Sequence, residues 1–265
     1  MDKSGESTMK VVILAGGLGT RISEETGIKP KPMVEIGEEP IIWHIMKLYS
    51  YYGYNDFIIC LGYKGKVIKD YFINYHRMHS TLTVDVKDGS IIATESNSES
   101  WKVQLVDTGT DVMTGGRLKR IQKYLDEDTF LMTYGDGVSD ININNIVDFH
   151  KKHNKLVTLT AVKPEGRFGL IHIDKNNSVT EMIEKPPGDG EWINGGFFVI
   201  NKNALNFIKD DFSIWEQGPL QEIAHRNELK AYSHHGFWKP MDTLNDKRIL
   251  ESLWNTGKAP WKVWK

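Results

Sequence analysis

A glycine-rich segment near the start of the chain has the residue types that bind phosphate. The apolar run over residues 11–15 predicts a strand buried on both faces. Gly16, Gly17 and Gly19 follow, and glycine lets a ligand approach the backbone amides with no Cβ in the way. Arg21 adds a permanent cation suited to phosphate. The segment predicts either a phosphate-binding loop at the carboxyl end of the first strand or a tight glycine turn.

This segment matches neither of two common phosphate-binding patterns. The Gly-Lys-Ser/Thr of the Walker pattern is absent, and Ile22 stands where the dinucleotide fingerprint needs glycine or alanine. Further along, Lys29 and Lys31 precede Pro30 and Pro32. A residue before proline is pushed out of the α conformation, so an extended arm that carries two cations is expected. We expect this arm to bring Lys31 back over the glycine loop.

Two later segments could bind other parts of a nucleotide. Residues 108–117 form a second glycine-rich loop, which either is a flexible start to a helix at 118–124 or faces the base and ribose. Asp136 lies between two glycines, directly after a strand predicted at 129–133. A carboxylate there suits Mg²⁺, which prefers one or two carboxylates plus substrate phosphates, although Asp-Gly is also an ordinary turn. Beside two glycine-rich loops we favour the metal site.

Strings 15–21, Ala-Gly-Gly-Leu-Gly-Thr-Arg, and 29–33, Lys-Pro-Lys-Pro-Met, resemble the signature of the sugar-1-phosphate nucleotidylyltransferases. Strings 23–26, Ser-Glu-Glu-Thr, and 113–120, Met-Thr-Gly-Gly-Arg-Leu-Lys-Arg, are similar to the cytidylyltransferase subgroup. The resemblance runs from about Lys10 to the end. It implies transfer of a cytidylyl group from CTP to α-D-glucose 1-phosphate, giving CDP-glucose and pyrophosphate for nucleotide-sugar biosynthesis of the dideoxyhexose or O-antigen type. The same chemistry with dTTP or UTP is the alternative.

The resemblance also implies a set of site residues. The residues it places on the nucleotide are Leu14, Ala15, Gly16, Gly17, Leu18, Gly19, Thr20, Arg21, Lys31, Thr108, Gly109 and Arg117. The residues it places on the sugar phosphate come from Phe-Gly, Glu-Lys-Pro and Asn-Gly-Gly strings. They are Gly169, Glu184, Lys185, Asn194 and Gly195. Asp136 and Asp242 would hold Mg²⁺ and, with Arg21 and Lys31, form the catalytic set. Asp242 also precedes a predicted helix at 244–253, where aspartate is favoured as an N-cap.

The predicted elements indicate an α/β fold. Strands and helices alternate through about residue 140, which predicts a parallel sheet with helices on both faces. The resemblance implies a three-layer sandwich with a mixed, mainly parallel central sheet, a Rossmann-like nucleotidyltransferase fold with small β excursions. We expect a single domain over 9–265, with a nucleotide-binding half to about 140 and a sugar-phosphate-binding half and helical tail beyond. Residues 1–8 are expected to be a disordered leader, and 96–100 an exposed polar excursion.

Composition excludes several classes of protein. With 33 Lys+Arg against 35 Asp+Glu, the formal charge is −2, which argues against a nucleic-acid or membrane-surface protein. The chain has one cysteine, Cys60, in an apolar run, so no internal disulfide can form and a reducing cytoplasm fits. Trp261 and Trp264 give an aromatic tail that we expect to dock on a surface, such as that of a neighbouring subunit, which suggests a homo-oligomer.

The implied reaction needs no activated nucleophile, because a phosphate oxygen already attacks phosphorus well. Arg21, Lys31, Lys185 and Mg²⁺ would offset the repulsion between the two anionic substrates. A metal-dependent glycosyltransferase is one alternative, but it would not need this cluster of phosphate-binding residues and would release no pyrophosphate. A non-catalytic nucleotide-sensing or assembly module is another, and it should have lost Arg21, Lys31 or Asp136, which are all present.

Overall fold

The structure is a computed structural model, and it describes residues 9–17, 19, 27, 29–164, 170–173, 175, 177–183 and 191–265. The strands are β1 (Val11–Ala15), β2 (Glu35–Ile36), β3 (Glu39–Pro40), β4 (Asp56–Leu61), β5 (Thr81–Asp85), β6 (Ser90–Thr94), β7 (Lys102–Asp107), β8 (Thr129–Tyr134), β9 (Gly137–Ser139), β10 (Val157–Val162), β11 (Leu170–Ile173), β12 (Val179–Ile183), β13 (Ile193–Asn194), β14 (Phe198–Asn201), β15 (Leu229–His234) and β16 (Trp238–Pro240). The α-helices are α1 (Ile41–Tyr51), α2 (Gly65–Met78), α3 (Thr114–Ile121), α4 (Ile143–His153), α5 (Pro219–His225) and α6 (Leu244–Asn255).

An eight-stranded sheet draws strands from both halves of the chain. Strand β15 forms one edge and pairs with β10. On its other side β10 pairs with two short strands, β13 and β14, and from β14 the order continues as β8, β1, β4 and β7. The pairs β8–β1, β1–β4, β4–β7 and β10–β15 are parallel, whereas β13 and β14 run antiparallel to their neighbours. The sheet is therefore mixed and mainly parallel, as predicted.

Alternate side chains of β1 enter two separate cores. Val11, Ile13 and Ala15 join the core that packs against α1, α2, α4 and α6, while Val12 and Leu14 join the one that packs against α3 and α5. Helices thus cover both faces, which confirms the three-layer α/β prediction. Small ribbons lie outside this sheet, formed by β2–β3, β5–β6, β9–β16 and β11–β12.

The register of the central strands gathers three glycines at one edge of the sheet. Ala15 at the end of β1 pairs with Leu61 of β4, and Leu14 pairs with Tyr134 of β8. Because these strands are parallel, their carboxyl ends lie side by side. The loops that begin at Gly16, Gly62 and Gly135 therefore start next to one another, and this edge carries the site.

Three details add to the sequence predictions or refine them. The polar stretch at 80–100, for which no strand was predicted, contains a hairpin of β5 and β6, and the turn between them carries Asp88-Gly89, a common hairpin signal. Helix α3 begins at Thr114, ahead of the predicted start at 118. Trp261 is fully buried against its own chain, where it stacks on Trp254, so the aromatic tail docks within the subunit.

Two further points concern the ends and the surface of the chain. The predicted leader, residues 1–8, lies outside the described residues. Within the part of the chain that the structure does describe, no helix combines the length and apolar character needed to span a membrane.

Candidate active site

A cavity of about 380 Å³ opens at the carboxyl edge of β1 and β8. That volume lies in the range of small-molecule sites. Its walls come from the first glycine loop, the lysine arm, the second glycine-rich loop and the two segments that carry Asp136 and Asp242. The described residues that line it are Leu14, Ala15, Gly16, Gly17, Gly19, Lys31, Pro32, Val112, Met113, Thr114, Arg117, Tyr134, Gly135, Asp136 and Asp242.

Lys31 stands between two carboxylates in this cavity. Its Nζ lies 2.7 Å from Asp136 Oδ2 and 2.6 Å from Asp242 Oδ1. The lysine begins a short 3₁₀ turn directly after Pro30, whose extended backbone matches the predicted arm. Burial lowers the pKa of Lys31, but the two carboxylates outweigh that effect and leave the pKa above its ordinary value. The ammonium is therefore charged at any physiological pH.

The two carboxylates meet because β9 pairs with β16. Gly137, next to Asp136, pairs with Pro240, and the backbone N–H of Met241 donates to the carbonyl oxygen of Asp136 over 2.8 Å. Asp242 follows directly. This ribbon brings the end of the central strand β8 and the start of α6 to the same point.

Thr243, not Asp242, caps helix α6. The Thr243 hydroxyl accepts the Asp246 N–H over 3.2 Å, and the Asp246 carboxylate accepts the Thr243 N–H over 2.9 Å, which forms a capping box. Asp246 also accepts the Asp242 N–H over 3.2 Å. The prediction that Asp242 could be a simple N-cap is therefore wrong, because its carboxylate turns to Lys31 instead.

The pair Asp136 and Asp242 has the donor chemistry of a magnesium site. Both offer hard carboxylate oxygens, and both side chains keep some exposure, 33% and 19% respectively. Among the residues that the structure describes, no third His, Cys, Asp or Glu completes a cluster around them. Two carboxylates suffice where substrate phosphates supply further oxygens. The Lys31 ammonium shows that a cation is already stabilised between them.

Arg117 joins the first glycine loop to the second. Its guanidinium donates to the carbonyl oxygens of Gly16 (3.0 Å), Leu61 (3.1 Å), Gly109 (2.7 Å) and Thr110 (3.2 Å). It also donates to the Thr108 hydroxyl, over 2.8 Å. Arg117 is 4% exposed, and desolvation lowers its pKa. Its guanidinium therefore links the backbones of the two loops, an arrangement called the Arg117 brace below. A direct contact of Arg117 with a nucleotide remains a prediction.

Two glycines lie close to this guanidinium. A Cβ on Gly16 would lie 2.2 Å from Arg117 Nη1, and one on Gly62 would lie 2.6 Å from the same atom. A Cβ on Gly17 would meet nothing within 4 Å. Gly16 therefore makes room for the brace, whereas Gly17 faces open space in the cavity wall.

The second glycine-rich loop is only partly what the sequence predicted. Thr108 is fully buried, its hydroxyl donates to the Leu61 carbonyl over 2.7 Å, and it is not among the described residues that line the cavity, so a contact with the nucleotide stays a prediction. Gly109 does not line the cavity, and its carbonyl accepts from Arg117. Gly115 and Gly116 allow close packing instead, because a Cβ on either would lie 2.6 or 2.4 Å from a carbonyl oxygen of the 211–213 segment. The wall of the cavity is formed by residues 112–114.

A polar network on the far side of Tyr134 was not predicted. The Tyr134 hydroxyl donates to Glu216 Oε1 over 2.5 Å, and the Thr114 hydroxyl donates to Glu216 Oε2 over 2.8 Å. Asn194 Nδ2 donates to the Tyr134 oxygen over 3.3 Å. Glu216 lies in an irregular segment, after Trp215, where no motif marks it. In the sequence, the position of Tyr134 two residues before Asp136 was the one hint that it lies near the site.

The other predicted residues divide into described and undescribed ones. Gly195 is buried, and its carbonyl accepts the Trp238 indole N–H over 2.7 Å. Neither Asn194 nor Gly195 is among the described residues that line the cavity. Asn194 does donate a hydrogen bond to Tyr134, which lines it. The predicted residues outside the described part of the chain are Leu18, Thr20, Arg21, Gly169, Glu184 and Lys185.

Known proteins resemble this chain over nearly its whole length. A protein named glucose-1-phosphate cytidylyltransferase from Salmonella typhimurium is 56% identical over 97% of this chain and 100% of its own. A probable glucose-1-phosphate cytidylyltransferase from Bacillus subtilis is 41% identical, with the same coverage of both chains. Two solved structures share the fold: HddC from Yersinia pseudotuberculosis (24% identity, TM-score 0.67, 93% of this chain and 100% of that one) and a UDP-glucose pyrophosphorylase (14%, 0.67, 95% and 100%).

The family model described as nucleotidyl transferase matches residues 10–235. That span includes the glycine loops, Lys31, Asp136 and the strands of the central sheet. Asp242 and the capping box of α6 lie beyond it, within the length shared with the 56% identical relative. On these grounds the chain belongs to the nucleotidyl transferase family.

Proposed function

We propose that this chain transfers a cytidylyl group from CTP to α-D-glucose 1-phosphate, giving CDP-glucose and pyrophosphate. The observation that carries the proposal is the Lys31 ammonium, held between Asp136 and Asp242 in a cavity whose wall is a glycine loop. A cation beside two carboxylates and open backbone is suited to a triphosphate with its metal. The choice of cytidine and glucose rests on the names of relatives 56% and 41% identical to the chain.

The nucleotide phosphates, in this proposal, lie over the first glycine loop. Gly16, Gly17 and Gly19 line the cavity next to Lys31, so backbone amides and one ammonium would face the same anion. Arg21, outside the described residues, is proposed as a second cation. Arg117 would hold the loop in place, since its guanidinium makes five hydrogen bonds to oxygens of described residues.

The sugar phosphate would bind on the side of β13. Asn194 and Gly195 lie on and next to this strand, and Asn194 reaches the cavity through Tyr134. Gly169, Glu184 and Lys185 lie outside the described part of the chain and are proposed from the motif resemblance alone. Hydroxyl groups on a sugar need polar partners of this kind for discrimination.

The reaction proposed is a direct in-line displacement. An oxygen of glucose 1-phosphate attacks the α-phosphorus of CTP, the bond to the β-phosphate oxygen breaks, and pyrophosphate leaves with that electron pair. Lys31 neutralises the charge that develops on the phosphates, and Asp136 and Asp242 would hold Mg²⁺ beside it. When bound, Mg²⁺ would add positive charge at the phosphate oxygens. No covalent intermediate on the protein is needed.

The setting of the enzyme is part of the same proposal. We propose one domain over residues 9–265, in which the segment to about 140 binds nucleotide and the remainder binds sugar phosphate. A cytoplasmic location is proposed from the single free, buried Cys60. Homo-oligomerisation remains a prediction to be checked by light scattering, because the aromatic tail that suggested it packs on its own chain. Nucleotide-sugar biosynthesis of the O-antigen type is the proposed use of the product.

The test is a comparison of pyrimidine triphosphates. The purified protein is incubated with Mg²⁺, glucose 1-phosphate and CTP, UTP or dTTP, and pyrophosphate and the nucleotide sugar are both quantified. We expect kcat/KM for CTP to exceed the others by roughly a hundredfold, since two mismatched polar positions cost about 1–3 kcal/mol each. A ratio near one, or a preference for dTTP, would remove the cytidylyl assignment. Absence of pyrophosphate with every triphosphate would reject the transferase proposal as a whole.

A further inference from the structure

The carboxylate of Glu216 accepts two hydrogen bonds from side chains that line the cavity. Oε1 receives the Tyr134 hydroxyl over 2.5 Å, and Oε2 receives the Thr114 hydroxyl over 2.8 Å. Thr114 begins helix α3 next to the second glycine-rich loop, and Tyr134 ends β8 directly before Gly135 and Asp136. Both side chains line the cavity, while Glu216 lies behind them.

These bonds fix the direction of the Tyr134 hydroxyl. A carboxylate can only accept, so the hydroxyl must give its proton to Glu216. A phenol keeps its proton at physiological pH, so the hydroxyl remains a donor. The lone pairs of the Tyr134 oxygen then remain for a donor from elsewhere.

Asn194 supplies that donor, and its own orientation is fixed as well. The Gly196 N–H donates to Asn194 Oδ1 over 2.9 Å, so the amide oxygen must face Gly196 and the amide nitrogen must face Tyr134. A one-way chain results, in which Asn194 donates to Tyr134 and Tyr134 donates to Glu216. An amide nitrogen has a second hydrogen, which this orientation could present to a sugar hydroxyl.

We propose that Glu216 is a positioning residue for the sugar phosphate: its carboxylate orients Tyr134, and Tyr134 orients the Asn194 amide. The inference rests on the proposed function for the identity of the substrate. A glutamine at 216 has one acceptor oxygen and one donor nitrogen in place of the two carboxylate oxygens, so it cannot accept both hydroxyls through separate oxygens. Where the amide nitrogen faces Tyr134, the Tyr134 hydroxyl must turn away from residue 216, and the chain of donors from Asn194 loses its fixed direction.

The experiment measures KM for glucose 1-phosphate in a double-mutant cycle. We expect Glu216→Gln to raise that KM about tenfold, the scale of one lost hydrogen bond to a charged group. In a Tyr134→Phe background the same substitution should add less than twofold, because the hydroxyl through which it acts is gone. Glu222→Gln, which loses only a surface pair with Arg226, is the matched control.

Two outcomes would overturn the inference. One is a KM for glucose 1-phosphate that is the same in Glu216→Gln and Glu222→Gln. The other is a rise caused by Glu216→Gln that is equally large in the Tyr134→Phe background. If Glu216→Gln does not fold, Tyr134→Phe decides, and an unchanged KM there rejects the chain of donors.

Failure of the proposed function would look different. If the wild-type protein releases no pyrophosphate from any triphosphate, the proposed activity is rejected. That result leaves the role of the Asn194–Tyr134–Glu216 hydrogen bonds to be decided by binding. Calorimetric titration of glucose 1-phosphate into the wild-type protein and the same variants then gives the equivalent comparison through Kd. A Kd that is raised about tenfold in Glu216→Gln and stays within twofold of the wild-type value in Glu222→Gln would support the inference; equal Kd values in the two variants would reject it.

Discussion

The backbone N–H of Met241 donates to the carbonyl oxygen of Asp136 over 2.8 Å. This bond continues the pairing of β9 with β16 and brings the carboxylate of the next residue, Asp242, to within 2.6 Å of the Lys31 ammonium. The charged centre of the cavity is therefore assembled by backbone pairing between distant segments. Its three side chains need no contact with a ligand to hold their positions.

Removal of Lys31 should chiefly lower kcat. Lys31→Ala takes away a cation that is already oriented in the cavity, and loss of such a group costs about a hundredfold or more in kcat. It also leaves Asp136 and Asp242 without their shared counter-ion. Steady-state kinetics at saturating substrates, with a melting curve to verify the fold, give the answer. A kcat close to that of the wild type would show that Lys31 is structural.

Asp242 and Thr243 are neighbours whose substitution should have opposite effects. Asp242→Asn removes a charge beside Lys31 but leaves the Thr243–Asp246 capping box in place, so turnover should collapse at ordinary Mg²⁺ with little change in Tm. Thr243→Ala loses the cap, which costs about 1 kcal/mol and roughly 2–4 °C in Tm, and should retain activity. The two assays are run in parallel. An active Asp242→Asn with a lowered Tm would reject the metal assignment.

The types of these residues could be read from the sequence, but their roles could not all be separated. Lys31 before a proline and Asp136 between glycines are local signals, and the structure places both in the cavity. Asp242 and Thr243 are both favoured N-cap residues. Which of them caps α6 depends on the register of β9 with β16, because that register fixes where the chain after β16 enters the helix. This long-range pairing leaves no local pattern in the sequence.

Glycines were harder to interpret than charged residues. Gly16 was predicted to let a ligand approach, yet the atom nearest to its missing Cβ belongs to Arg117. Gly115 and Gly116 belong to the loop that was predicted either to face the base and ribose or to be a flexible helix start, and they pack against carbonyl oxygens of the 211–213 segment. Any close approach selects glycine, and the sequence does not say what approaches. Glu216 was missed for a related reason, because its partners lie on distant strands and helices.

A methyl group at Gly16 should therefore act on stability through Arg117. Gly16→Ala places a Cβ 2.2 Å from Arg117 Nη1, and overpacking of this kind costs about 1–3 kcal/mol. Gly17→Ala is the matched control, because its Cβ would meet nothing within 4 Å. Urea denaturation of both variants measures the difference in the free energy of unfolding. Equal values would show that Arg117 moves aside freely and that the brace is dispensable.

Direct transfer predicts a ternary complex. No nucleophilic side chain is paired with a base in the described cavity wall, so we expect no nucleotidyl-enzyme intermediate. Initial-rate plots for CTP at several concentrations of glucose 1-phosphate should intersect. Isotope exchange between CTP and labelled pyrophosphate without sugar phosphate should be at background. Parallel lines together with exchange would indicate a covalent intermediate and contradict the proposed mechanism.

The buried His44 should make stability depend on pH. Burial lowers its pKa to about 4, an effect reinforced by Lys262 and opposed by the backbone around Ile36. Nε2 lies 2.9 Å from the Ile36 carbonyl, and the Trp261 indole N–H faces Nδ1 at 3.4 Å, so the neutral ring suits its site. Between about pH 6.5 and 4 the unfolded chain binds a proton at His44 that the folded chain does not, and stability falls as pH falls.

His44→Gln removes that proton uptake, and it should flatten the fall by about 1.4 kcal/mol per pH unit near pH 5. His150, whose burial also lowers its pKa to about 4, would continue to contribute in the variant, so some slope remains. The measurement is the free energy of unfolding in urea at closely spaced pH values from 7 to 4.5. Because the glutamine also disturbs the contact with Trp261, the variant should be less stable at pH 7, and only the difference in slope counts. Identical slopes in the two proteins would mean that His44 is protonated in the folded state, and that the aromatic tail accommodates the charge.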